Sequence, residues 1–371
     1  MRGHLPEMKV KMKLIDQITI YENPNPLLVS RQAIFPGVVE LPDGQLMAMF
    51  AIGQAFDSAD QLMHVSKSSD YGRSWSSPRP IHNHHYEPFQ QSESFKPLLL
   101  NNGILLAVGY VFVRPDAETP IVHPDTFKTL ALKNMITNSS DNGQTWKLPR
   151  QIDIKGVPLE LSGPCIQLAS GRIIGAASPF HLNKTGHSGW IIFSDDAGEH
   201  WAKLSEFFKS ENGEVAAWEC RLIEMEPDQI AVVFWAYDTL NQRNLTNHIV
   251  FSNDGGKHFS PAVDTYINAQ ASNLMWLGGD ELLTIHSHRE TPVGLKVRRV
   301  DISGRRFSIL EEIDLFSDDK LGSNSEDIRK QFGSLKFGQP SLLRLTNGEV
   351  LATCWAFENY QHVIKGFFLE L

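Results

Sequence analysis

Ser139-Ser140-Asp141-Asn142-Gly143-Gln144-Thr145-Trp146 is one of four copies of a single spelling. Ser-x-Asp-x-Gly-x-x-Trp also runs from Ser68 to Trp75 and from Ser194 to Trp201, and it returns from Ser252 to Phe259 with Phe in the last place. Copies separated by roughly 55–70 residues are an internal repeat, and a period near that length points to blades or solenoid units. The motif carries its own mechanism. Asp followed two residues on by Gly makes a tight corner, in which Asp bonds local backbone N–H groups and Gly takes a positive φ. The terminal Trp then folds back as an apolar plug. Such a corner is scaffold.

Working outward from the corners, Phe35–Phe50 reads as strand, Pro-Asp-Gly turn and strand. The same pattern recurs at Pro97–Tyr110, Gly163–Ala177, Glu219–Trp235, Asn273–Ile285 and Pro340–Trp355. A third strand follows each hairpin, at Leu62–Ser66, Asn134–Ser139, Gly189–Ser194, His248–Ser252, Lys296–Val300 and Val363–Leu369. No helical period is sustained. Six such units predict an all-β, six-bladed β-propeller in residues 31–371, with residues 1–30 a lead-in closing onto it. A β-helix is the alternative, but its repeats are much shorter. Phe112–Thr129 reads as a long insertion in the second blade, and Phe316–Phe332 as a polar excursion or short helix.

The chain has 371 residues, 42% of them hydrophobic, and a net charge of −9. That charge argues against a nucleic-acid partner, which needs a basic face. No run of 18 apolar residues exists, so no membrane-spanning helix is expected. The N-terminal stretch from Met1 to Lys13 lacks the apolar core of a secretory signal. Cys165, Cys220 and Cys354 are far apart in apolar runs and read as buried free thiols. A cytoplasmic protein without metal or other cofactor is the expectation.

The corners resemble the Asp-box, or bacterial neuraminidase repeat, of the sialidase superfamily, from about Ile34 to the end of the chain. The resemblance implies the propeller fold and a site at one mouth of it. Sialidases carry a Tyr/Phe-Arg-Ile-Pro motif whose Arg binds the substrate carboxylate; here Ala33-Ile34-Phe35-Pro36 stands in its place, with Ile34 for that Arg. Arg31 is three residues away, on the opposite face of a strand. The hairpin that should be followed by a second such Arg ends in Phe234-Trp235-Ala236-Tyr237-Asp238. Gly338 or Gln339 replaces the Tyr nucleophile. Glu219, by contrast, falls where sialidases place the Glu that partners this Tyr, and Asp57 and Asp60 fall in the loop of their acid/base Asp.

Hairpin ends from six blades crowd one mouth, and convergent concavities are where ligands bind. The expected catalytic candidates are Asp57, Asp60, Glu219, Asp238, His286 and Glu358, with Glu93 a further carboxylate of that rim. The expected substrate-binding residues are Arg31, Gln32, Lys96, Arg114, Arg221, Trp235, Tyr237, His288, Arg289, Gln339 and Trp355. Aromatic faces beside polar forks suit a sugar, and the basic members leave room for an acidic one. A glycoside hydrolase needs two carboxyl groups flanking the bond. The expected activity is therefore exo-acting hydrolysis of a non-sialic sugar or oligosaccharide, a first-blade Asp protonating the leaving oxygen and Glu219 activating water or stabilising positive charge. Two alternatives stand beside it. One is a uronate-type lyase using His286, His288 or Tyr237, and the other is a glycan-binding propeller without catalysis.

Overall fold

A computed structural model of the chain describes residues 11–83, 90–323, 327, 331 and 334–371. It is a six-bladed propeller, and every blade is an antiparallel sheet built on one of the hairpins read from the sequence. From the axis outward, blade one is Gln32–Glu40, Leu46–Gly53, Leu62–Ser68 and Arg79–Pro80. Blade two is Gln90–Leu99, Leu105–Arg114, Ala131–Ser139 and Arg150–Gln151. In blade three the innermost strand is broken into Leu159–Glu160 and Ile166–Gln167, both paired with Ile173–Pro179. Gly163 and Pro164 lie in the gap. Gly189–Ser194 and Ala202–Phe208 complete that blade.

Blade four stacks Val215–Glu224, Ile230–Asp238, His248–Ser252 and Val263–Asp264, and blade five Ser272–Gly278, Glu281–His288, Gly294–Asp301 and Ser308–Ser317. Blade six is closed by the beginning of the chain. Phe337–Arg344, Val350–Glu358 and Gln361–Glu370 take Lys13–Tyr21 as their outer strand. The lead-in thus supplies a strand that joins the two ends of the ring. Of the excursion expected at Phe316–Phe332, the strand runs on to Ser317 and a short 3₁₀ turn covers Asp319–Leu321.

The second strands are the most buried; all nine residues of Ile230–Asp238 are inside. Faces of adjacent blades pack on one another to form a set of apolar clusters round the axis. Cys165, Cys220 and Cys354 are buried in these layers as free thiols.

The repeated corners have the geometry their spelling predicts. In the second blade Ser139 Oγ donates to Asp141 Oδ1 at 2.7 Å and accepts from the Gly143 N–H at 2.9 Å. Asp141 Oδ1 also accepts from the Thr145 N–H at 2.9 Å, and the Trp146 indole N–H turns back to the Gly143 carbonyl at 3.3 Å. Gly143 has φ 74°, and a Cβ there would stand 2.6 Å from Met47 Sδ of blade one. Each corner thus locks its own turn and plugs the neighbouring blade. Asp70, Asp141, Asp196 and Asp254 are all held below the ordinary Asp range by these local donors.

Candidate active site

The second strand of a blade ends at one rim and the third runs back to the other. The corners therefore sit at the rim opposite the hairpin ends. At the hairpin-end rim lies an open cavity. Its polar lining is Asp57, Tyr110, Glu160, His181, Glu219, Arg289 and Gln339; Phe35, Phe56, Phe112, Phe180, Leu182, Trp218, Trp235, Leu335 and Trp355 supply the apolar walls.

Three of these residues enter the cavity by the same backbone device. The register of the innermost strand breaks between Ile34 and Gly37 in blade one, Trp218 and Arg221 in blade four, and Gly338 and Ser341 in blade six. Inside each break one non-glycine residue has left-handed backbone: Phe35 with φ 60°, Glu219 with φ 49° and Gln339 with φ 43°. A bulge re-aims a side chain out of the sheet's alternation. Left-handed backbone at a non-glycine costs on the order of 1 kcal/mol or more, and such positions gather at functional sites. Asp57, in the loop after blade one's second strand, shares the feature with φ 51°.

A ladder of bonds runs beneath the cavity. Lys96 Nζ donates to the carbonyls of Phe35 and Pro36 at 2.8 and 3.1 Å and to Gln339 Oε1 at 2.8 Å. That fixes the Gln339 amide, whose Nε2 donates to Glu219 Oε1 at 3.0 Å. Glu219 Oε2 accepts from Arg221 Nη2 at 3.0 Å. Burial pushes Glu219 up, but Arg221, the Gln339 amide, Arg289 and Lys96 together outweigh it and hold the carboxyl below its ordinary range.

The other two carboxyls go the other way. Asp57 is pushed up to about 7, by burial first and by the charge of Glu219 in smaller part, against the pull of Arg114 and Gln61. Glu160 is also raised, by burial and then by Glu219. Its Oε2 accepts the Glu219 N–H at 3.3 Å. Tyr110, facing the three carboxyls, is kept protonated by burial and by their field. Arg289 is lowered to about 10 by burial. Its Nε donates to the Phe337 carbonyl at 2.9 Å and its Nη1 to Gln270. Nη2 lies over Gly338, where any Cβ would collide with it.

The aromatic walls are ordered. Trp218 meets Trp235 edge-on at 5.4 Å and stacks on Tyr237 at 4.9 Å. Phe35, Phe56 and Trp355 form a second group.

Of the residues expected from sequence, the structure brings Asp57, Glu219, Trp235, Arg289, Gln339 and Trp355 to the cavity surface, with Lys96 and Arg221 directly behind Gln339 and Glu219. It places the others elsewhere. Asp60 ties its own loop, accepting from the Gln54 N–H and the Ser58 hydroxyl. Asp238 does the same for Leu240 and Asn241. Glu358 is exposed and accepts from Lys365 at 3.2 Å. Glu93 is fully buried, accepting from the Met63 N–H and bonded to His82.

Arg31 is exposed beside Tyr21. Gln32 holds His362. Arg114 donates to Ser92, the Thr119 carbonyl and the Asp57 carbonyl, so it anchors the Asp57 loop from outside the lining. Tyr237 is wholly buried behind Trp218. His286 is wholly buried against Asn247, and His288 is bonded to Arg298. Burial holds both imidazoles neutral, His288 at about 4. The three proton carriers of the lyase alternative thus lie outside the cavity. Ile34, in the place of the sialidase Arg, is part of the apolar core. Among the described residues no group of three His, Cys, Asp or Glu side chains could hold a metal ion. No helix among them is long and apolar enough to cross a membrane.

Glu160 is the cavity carboxyl absent from the expected set. The sequence does carry a signal for it. Leu159-Glu160-Leu161-Ser162 parallels Trp218-Glu219-Cys220-Arg221 one blade on, but the Gly163-Pro164 break hides the strand it belongs to.

The profile of the family described as a BNR repeat-like domain matches residues 119–350. No curated protein matches the chain. Among solved structures, a protein of unknown function from Dyadobacter fermentans is similar over 97% of this chain and 99% of its own, at 20% identity and a TM-score of 0.74. The K499G mutant of NanB sialidase from Streptococcus pneumoniae is similar over 95% of this chain and 70% of its own, at 12% identity and 0.65. The intramolecular trans-sialidase from Ruminococcus gnavus, in complex with oseltamivir carboxylate, is similar over 91% and 94%, at 12% identity and 0.61. At these identities the likeness is one of fold.

Proposed function

This chain belongs to the BNR repeat-like family of sialidase-like propellers, and from that premise we propose that it is an exo-acting glycoside hydrolase for a non-sialic sugar. The observation that carries this reading is the placing of Asp57 and Glu219 in one aromatic-walled cavity in unlike surroundings, Glu219 bonded by Arg221 and Gln339 and Asp57 buried. Glu219 is held charged by Arg221 and Gln339, while Asp57 keeps its proton up to about pH 7. Carboxyls whose surroundings drive them apart supply an acid and an anion together, which is what cleavage of a glycosidic bond requires.

In this reading Asp57 protonates the leaving oxygen. Glu219 receives a proton from water or stabilises the developing oxocarbenium charge. Trp218 and Trp235 offer apolar faces to the ring, as suits a sugar, and Trp355 backs the opposite wall behind Phe35 and Phe56.

The non-sialic specificity rests on two replacements. Ile34 is buried apolar core where the resemblance calls for a carboxylate-binding Arg. Gln339 stands beside Glu219 where it calls for Tyr, and a carboxamide fixed at both ends by Lys96 and Glu219 is no nucleophile.

A panel of 4-nitrophenyl glycosides tests the reading: neutral hexosides, uronides and a sialoside. Release of nitrophenol from a non-sialic member, and none from the sialoside, is the expected result. The rate should be level on the acid side of pH 7 and fall above it as Asp57 ionises. Efficient cleavage of the sialoside would overturn the specificity. A D57N variant that cleaves as fast as the unaltered chain would overturn the mechanism.

A further inference from the structure

We propose that Glu160 is a specificity-determining residue, its carboxyl binding hydroxyl groups of the sugar beside Glu219 in the cavity wall. The proposal rests on the glycoside reading above and adds a specificity-determining residue to it.

The basic side chains beneath the cavity are bonded to other acceptors. Arg221 places Nη1 on the Ser162 hydroxyl at 3.2 Å and the Cys220 carbonyl at 2.9 Å, and Nη2 on Glu219. Arg289 spends Nε and Nη1 on Phe337 and Gln270. Lys96 has three acceptors already, two carbonyls and Gln339. Among the described residues none of these donors bonds Glu160.

What Glu160 does have is the Glu219 N–H on Oε2, the Ser162 hydroxyl, and a second carboxyl for a neighbour. The groups facing it are Glu219 and Arg221 from blade four, Tyr110 from blade two and Ser162 on its own segment. Two neighbouring carboxyls cannot both ionise cheaply. Arg221 and Gln339 select Glu219 as the anion, so the proton falls to Glu160, in keeping with the upward push of burial and of the Glu219 charge.

The position is also held rigidly. Asn134 of blade two accepts from the Leu159 N–H at 2.9 Å and donates to the Leu159 carbonyl at 2.8 Å, clamping the strand from both sides. Glu160 pairs with Ser178 in the same short ladder. A carboxyl clamped at the cavity wall, met by the Glu219 N–H and the Ser162 hydroxyl, keeps further lone pairs to offer to a ligand.

Its partner is thus a neutral hydroxyl-bearing ring. A neutral carboxyl and a carboxamide have nearly the same shape and the same donor–acceptor pair. This identity makes the proposal testable.

The measurement is kcat and KM of unaltered chain, E160Q and E160A on the panel glycoside that turns over, from pH 5.5 to 9, with melting temperatures to confirm folding. E160Q should stay within about threefold of the unaltered chain in both constants at pH 6.5. It should also lose the rise in KM that Glu160 ionisation produces above neutral pH. E160A should raise KM about tenfold or more while changing kcat much less, the loss expected for one or two hydrogen bonds. A hundredfold fall in kcat for E160Q at unchanged KM would overturn the proposal by making Glu160 a proton-transfer group; so would an E160A variant identical to the unaltered chain. If no glycoside is cleaved, the hydrolase reading falls by itself, and calorimetric titration with the corresponding free sugars decides Glu160. Binding kept in E160Q and lost in E160A supports it. Equal binding in E160A, or no binding to the unaltered chain, overturns it.

Discussion

The two rims of the propeller carry acids of opposite temper. At the corner rim, Asp70, Asp141, Asp196 and Asp254 accept from neighbouring Ser, Thr or His side chains and from backbone N–H groups, and all are held more acidic than usual. At the cavity rim, Asp57 and Glu160 are buried beside Glu219 and held less acidic than usual. The corners are nearly superimposable in their bonds, one after another. The cavity instead breaks the repeat, with three strand registers interrupted and four non-glycine residues in left-handed backbone. A repeat fold stores its stability where its units agree and builds a site where they differ.

The largest effect expected from breaking this contrast is at Glu219. E219Q removes the anion that Arg221 and Gln339 hold in place. Turnover should fall by about 10³-fold, within the range for loss of a general base or charge stabiliser. Sugar binding measured calorimetrically should persist. Retained turnover would show that the cavity's ionisation pattern is structural. A change confined to affinity would leave a glycan-binding propeller as the better reading.

At the other rim the same kind of substitution should spare the chemistry. D141A strips the Ser139, Thr145 and backbone partners from one corner. It should cost about 1–3 kcal/mol, the scale for groups losing hydrogen-bond partners, and lower the melting temperature by a few degrees. kcat and KM of the folded protein should not move. A kinetic effect as large as the stability effect would mean that the two rims are coupled through the blade.

The asymmetry also explains what could be read from the sequence. The corners and hairpins are local devices, set by residues two to four apart, so blade count and strand positions were accessible without coordinates. Glu219 and Gln339 were reached through their place at strand starts, and Trp235 and Trp355 through strand ends. The same rule misplaced Asp60, Asp238 and Glu358, because a carboxylate just past a strand end caps its own loop as readily as it faces a cavity. His286 and His288 fell at a strand end too, yet the sheet turns them between blades, toward Asn247 and Arg298. Phe56, Phe112, Phe180 and Leu335 enter the cavity from segments whose apolar character has no period to betray it. Glu160 was hidden because its strand has only two residues.

The subtlest test of the contrast is the sign of its pH dependence. Asp57 has its folded pKa raised to about 7 from an unfolded value near 4. Below pH 4 it is protonated in both states and costs nothing. Between pH 4 and 7 the unfolded chain releases its proton while the folded chain keeps it, so stability is lost as pH rises, by up to about 1.4 kcal/mol per unit, levelling off above 7. Asn at this position cannot ionise. The melting temperature of D57N relative to the unaltered chain should therefore climb by a few degrees between pH 4.5 and 7.5. Asp141 has the opposite shift, its folded pKa depressed by Thr145 and Ser139. The stability it contributes is present above pH 4 and disappears as pH falls through the folded value. The deficit of D141N should thus be largest near neutrality and shrink toward pH 3. Opposite slopes for the two Asn variants would confirm that the rims differ in electrostatic design. Parallel slopes would show that Asp57 is solvated like a corner residue, removing the acid on which the proposed chemistry depends.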